Sequence, residues 1–180
     1  MSLRTTWLPI AGLLGAIAAV SLTHSEAAQQ ARTIPQSARL ENEAIVRQIT
    51  ALADQPAPVG PEARKLLALV QPHLLLREEV VLPPLTLLPL IAQGKVTSDM
   101  KWALPLIDRA KAGQQQNLRE LEQITAQLNA LAAAGEQAND GQAFKTAQDI
   151  AASLLADEEL TQPTVVLIGD YLRARLPAGS

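Results

Sequence analysis

The sequence predicts an all-α fold: an up-down four-helix bundle with proline-bent helices and a short accessory helix. Three observations carry this. Hydrophobic residues make up 48% of the chain and aromatics only 2%, so the core material is aliphatic, whereas sheets favour β-branched and aromatic runs. Apolar residues recur at helical spacing in four stretches, and none alternates convincingly at period two. Prolines fall where helices would end or bend. At 180 residues the chain suits one domain with a sizeable core.

The first 27 residues read as an export signal. Arg4 gives a positive start, residues 7–22 form an apolar run, and Ser25-Glu26-Ala27 places small residues at the −3 and −1 positions of a cleavage site before Ala28. An uncleaved anchor is the alternative, although the run is short for a full span. The expected location is therefore periplasmic or extracellular, with membrane contact only through an uncleaved signal. His24 lies in this segment and has no assigned role. Residues 28–36 are polar, carry Pro35 and read as a flexible lead-in.

The bundle is expected over residues 37–176, with a tail at 177–180. The first helix starts at Ser37, with Leu40, Ala44, Ile45, Ile49 and Leu52 as its stripe, and ends at the prolines of residues 55–61. A second starts at Pro61 with Gly60 as cap, carries Leu66, Leu67, Leu69, Val70 and Leu74, bends at Pro72 and ends at Pro83 and Pro84. The accessory helix spans 85–92, with Pro89 inside and Gly94 closing it. Thr97, Ser98 and Asp99 signal the third helix, bent near Pro105 and continuing to about Ala134, with the stripe Leu118, Leu121, Ile124, Leu128 and Leu131. Residues 135–141 read as a linker, and Asn139 or Asp140 can cap the last helix. That helix carries Phe144, Ile150, Leu154 and Leu155, meets Pro163 and resumes through Val165, Val166, Leu167, Ile168, Tyr171 and Leu172.

A net charge of −3 and a pI near 5.4 leave no basic face for nucleic acid. The absence of cysteine excludes disulfides, a thiolate zinc site and a cysteine nucleophile. No Gly-rich phosphate loop or nucleophile elbow occurs, and two histidines supply no persuasive catalytic triad. The chain is read as a non-enzyme.

One pattern occurs twice. Residues 73–83 read His-Leu-Leu-Leu-Arg-Glu-Glu-Val-Val-Leu-Pro, and residues 153–163 read Ser-Leu-Leu-Ala-Asp-Glu-Glu-Leu-Thr-Gln-Pro. Leu74/Leu154, Leu75/Leu155, Glu78/Glu158, Glu79/Glu159 and Pro83/Pro163 coincide, while His73 faces Ser153 and Arg77 faces Asp157. Residues four apart share a helix face, so each copy can point a polar pair into the bundle: His73 with Arg77, and Ser153 with Asp157.

This double run resembles the hemerythrin-like (HHE) cation-binding domains, as does the tail from Glu158-Glu159 through Leu167-Ile168-Gly169-Asp170-Tyr171-Leu172. The resemblance implies a four-helix bundle around a carboxylate-bridged di-iron centre that binds or senses oxygen, nitric oxide or iron. The sequence departs from that ligand pattern: Arg77 replaces one acid, Ser153 replaces one histidine, the first helix has no histidine, and the third offers Gln114, Gln115, Gln116 and Asn117. Only His73 and Asp157 remain as ligands, with Glu78 as a further candidate, and an arginine beside the bridging position repels a cation. The expectation is a bundle without its iron, needing no cofactor, that binds an unidentified protein or small molecule. The alternative is an iron- or oxygen-binding member with unusual ligands.

Arg77 and Asp157 are expected to pair across the core, against the alternative that Arg77 snorkels to solvent. His73 is read as a core histidine rather than a residual ligand. Glu78-Glu79 and Asp157-Glu158-Glu159 read as solvated faces with one member turned inward.

Overall fold

The computed structural model describes residues 34–176, so the expected export signal, most of the expected lead-in and the expected tail lie outside the described residues. All regular elements among the described residues are helical. Four are long: α1 (Gln36–Ala53), α2 (Val59–Leu76), α5 (Ala103–Gln137) and α6 (Gly141–Arg175). Two short helices, α3 (Leu82–Leu85) and α4 (Leu88–Ala92), lie between α2 and α5. A π-helical turn, Arg77–Val81, joins α2 to α3, and a 3-10 turn, Ser98–Trp102, leads into α5.

The junctions follow local chemistry. Pro83 and Pro84 offer no N–H to the carbonyls a turn earlier, and immediately before them the chain widens, Leu82 N–H reaching back to Arg77 C=O. Two glycine or asparagine closures then end helices. Gly94 adopts φ 70° while Lys95 N–H bonds Leu90 C=O at 2.9 Å. Asn139 adopts φ 55° while Asp140 N–H bonds Gly135 C=O at 2.8 Å and Asn139 N–H bonds Glu136 C=O at 3.0 Å. The Asp140 carboxylate then accepts from Gln142 and Ala143 N–H, both at 3.0 Å, capping α6.

That closure corrects the expected linker at 135–141. Asn139 supplies the left-handed residue, so Gly135 stays inside α5 and the turn shrinks to three residues. Gly135 is small because α6 begins against it: an added Cβ would stand 2.7 Å from Phe144 N and 3.1 Å from Asp140 O. Further differences are small in extent. Pro105 falls in the first turn of α5, where a missing N–H is tolerated. α1 begins one residue inside the expected lead-in, and α2 begins at Val59, so Gly60 lies within it.

Two of the expected stripes are out of phase with the buried faces. Leu40 is 54% exposed while Asn42 is buried on one line with Ile45, Ile49 and Leu52, and Leu118 is 52% exposed. The physical reason is angular: each residue turns a helix by roughly 100°, so Leu40 lies far round from Ile45, whereas 42, 45, 49 and 52 recur at helical intervals. On α5 the same count puts Asn117, not Leu118, in line with Leu121, Ile124 and Leu128.

The apolar interior is in two parts. One cluster joins α1, α2, the second half of α5 and the first half of α6, and includes Ile49, Leu66, Val70, Ile124, Leu131 and Ile150. The other joins Val80, Val81, Leu87, Met100, Ile107, Val165 and Leu172. Between Ala110 and Leu121 on α5, and between Leu154 and Val165 on α6, no hydrophobic side chain is buried, and the polar Asn117, Glu120, Asp157, Glu158 and Thr161 fall in these stretches.

The two glycines of α5 predict opposite responses to one substitution. Gly135→Ala should lower unfolding free energy by about 2 kcal/mol through the clash with the α6 backbone. Gly113→Ala, whose Cβ would meet nothing within 4 Å, should raise it by about 1 kcal/mol through helix propensity. Urea unfolding of both variants measures the pair.

Candidate functional site

The polar layer between the apolar clusters draws on every long helix. Arg77, the first residue of the π-helical turn, is 3% exposed, and its Nη2 donates to Asp157 Oδ2 on α6. Asp157 Oδ1 accepts from Thr161 Oγ1 at 3.0 Å. Asp157 is 42% exposed, so the ion pair has one buried and one half-solvated member. Glu158, 11% exposed, accepts from Asn117 Nδ2, and its Oε2 lies 4.0 Å from Arg77 Nε. That separation exceeds a hydrogen bond, and both atoms lack a partner.

Burial pulls the Arg77 guanidinium below its ordinary proton affinity, opposed first by the charge of Glu158 and then by Glu41. Arginine remains a cation under such pressure. Glu41 also accepts from Ser153 Oγ at 2.5 Å, tying α1 to α6 at the same level. Glu78 accepts from Asn42 Nδ2 at 2.8 Å, tying α1 to the π-helical turn.

His73 lies one turn before Arg77 and is 2% exposed, with neither ring nitrogen hydrogen-bonded. Its Nδ1 is 3.7 Å from Glu120 Oε2 on α5, too long for a hydrogen bond, so the carboxylate acts on it as a neighbouring charge. Glu120 Oε1 accepts from Gln116 Nε2 at 2.9 Å. Burial, and then the Arg77 charge, push the His73 pKa below its ordinary value, while Glu120 pulls the other way. The imidazole is therefore neutral near pH 7.

The four singled-out residues thus reach one level of the bundle but make separate contacts. Arg77 and Asp157 meet; Ser153 turns to Glu41; His73 turns to Glu120. The metal candidates do not converge either, since Asp157 is held by Arg77 and Thr161, and Glu78 by Asn42. Among the described residues no group of three or more His, Asp or Glu side chains could hold a metal ion. The donor set does not fit a di-iron centre, because one imidazole and separately engaged carboxylates share the layer with a buried guanidinium that repels a cation.

Ser153 Oγ donates directly to a carboxylate, with no imidazole between them. Glu120 beside His73, Asn117 as the donor to Glu158, and Glu41 and Asn42 as the α1 contribution are contacts that the sequence pattern does not point to. Asn42 and Asn117 had a detectable signal: each is an amide on the inward line of its stripe. Glu120 and Glu41 had none, because flank carboxylates look solvated.

On the solvent side of the α5–α6 seam lies an open groove of about 630 Å³. Smaller hollows of about 350 and 240 Å³ lie over His73 and Arg77 respectively. No described helix is long and apolar enough to cross a membrane. Comparison with protein-family models, with curated proteins and with solved structures finds no match for this chain.

The neutral, buried His73 predicts a pH effect of definite sign. Its folded pKa is depressed, so the unfolded chain takes up the proton first as pH falls below the unfolded value of 6.5. Stability from this residue is complete above that value and declines below it, by at most about 1.4 kcal/mol per pH unit. His73→Met should flatten this part of the profile. Denaturant unfolding of both proteins between about pH 7.5 and about pH 5.5 reads the difference.

Proposed function

We propose that this chain is an exported, non-catalytic bundle of hemerythrin-like kind in which a buried guanidinium stands in place of the metal, and that it serves as a binding or structural module. The observation that carries the reading is Arg77, 3% exposed, paired with Asp157 and faced by Glu158 in the middle of the helices. A cation fixed there repels another cation, and the flanking carboxylates are already engaged.

The order of contacts supports the up-down arrangement. Asn42 meets Glu78 while Ala53 meets Arg64; Glu62 meets Gln127 while His73 faces Glu120; Asp108 meets Arg173 while Asn117 meets Glu158. In each pair of helices, later residues of one meet earlier residues of the next. Export rests on the features of residues 1–27, and a partner other than nucleic acid rests on the net charge of −3.

Aerobic loading of the purified chain with ferrous iron tests the proposal. The expected spectrum lacks oxo-bridged charge-transfer bands, and iron stays below about 0.1 per chain after desalting. Bands with about two irons per chain would establish the metal-binding alternative instead.

A further inference from the structure

α5 and α6 pack along their length, and the 630 Å³ groove on their solvent side is bordered by residues 114–129 of α5 and 155–163 of α6. At 1.5 Å per residue the α5 border is about 22 Å long, the length of roughly four helical turns. Its apolar lining includes Leu118, Leu121, Ala126, Leu155 and Pro163. Leu118 is 52% exposed and Leu155 44%, although large apolar side chains gain most from burial.

The charge along the groove has one sign. Glu122, Glu158 and Glu159 line it, and no lysine or arginine does. Arg77 offsets Glu158 from inside the bundle, whereas Glu122 and Glu159 make no ion pair among the described residues. An apolar trough with unanswered carboxylates along it is complementary to a helix whose leucine-like face is flanked by lysine or arginine.

We propose that the α5–α6 groove docks a cationic amphipathic helix of a partner protein. This rests on the binding-module reading above and names the partner's chemistry. The same carboxylates disfavour an anionic lipid surface. They also disfavour a second copy seated groove to groove, which would bring like charges together.

The test uses the purified chain and a fluorescent synthetic helix of roughly 18 leucine and lysine residues with the leucines on one face, titrated by anisotropy. Saturable binding is expected, weakening several-fold between about 50 and about 300 mM salt. Leu118→Glu with Leu155→Glu should lower affinity about tenfold, and Glu122→Lys with Glu159→Lys about threefold or more. Ala126→Trp, which fills the groove without adding charge, should reproduce the first loss and guards against a misfolded leucine variant.

Equal affinity for the parent chain and the folded groove variants would overturn the inference. So would equally tight binding of a leucine–glutamate helix of the same pattern, or capture of anionic vesicles through Leu118 and Leu155. The two readings fail separately: a chain that loads iron yet binds the peptide through the groove overturns the proposed function alone, and an iron-free chain that ignores the peptide overturns this inference alone.

Discussion

The buried guanidinium of Arg77 is the constraint to which the middle of the bundle is fitted. A cation taken out of water loses several kcal/mol of hydration, and only close carboxylates with their own hydrogen bonds return it. Asp157 supplies the direct contact, with Thr161 holding its second oxygen. Glu158 supplies the nearby charge, and Asn117 holds its other oxygen. Glu41 adds charge from α1 and is itself bonded by Ser153. One residue has thus drawn in polar partners from three other helices.

The consequence reaches beyond the layer. Apolar surfaces slide against one another at little cost, whereas a buried cation accepts few registers. Placing Arg77 beside Asp157 sets α6 lengthwise against α2, and the tight turn at Asn139 then sets α5. The apolar clusters on either side are unequal in construction. One is enclosed by four long helices, while the other is closed by the π-helical turn, the short proline-bearing helices and the ends of α5 and α6. α1 has 18 residues against 35 in α5 and α6, so it covers only part of their length.

Much of this was legible from composition and spacing. Poverty in aromatics and the 3.6-residue stripes pointed to helices, and aligning residues 73–83 with 153–163 singled out Arg77 and Asp157 as complementary. The misphased residues share one cause. Leucine usually faces inward, which is why Leu40 and Leu118 are expected there, yet Asn42 is the buried residue and Asn117, half-buried, holds the inward angle. A polar layer inverts the usual rule locally: amides go in, and the neighbouring leucines face water. The same leucine at 118 then helps form the exposed groove. What no spacing could reveal was the partner of His73, since a carboxylate such as Glu120 reads as a solvated charge until the opposite helix is in place.

The central claim, that the layer is organised by the charge of Arg77 rather than by its bulk, has a direct test in urea unfolding of three variants. Arg77→Met alone leaves Asp157 and Glu158 facing a thioether and should cost about 2 kcal/mol. Asp157→Leu with Glu158→Gln, which keeps an acceptor for Asn117, leaves the guanidinium without its two α6 carboxylates and should cost at least as much. Combining all three substitutions should bring stability back to within about 1 kcal/mol of the parent chain. If Arg77→Met alone leaves stability unchanged, or if the two sets of losses simply add, the charge does not organise the layer.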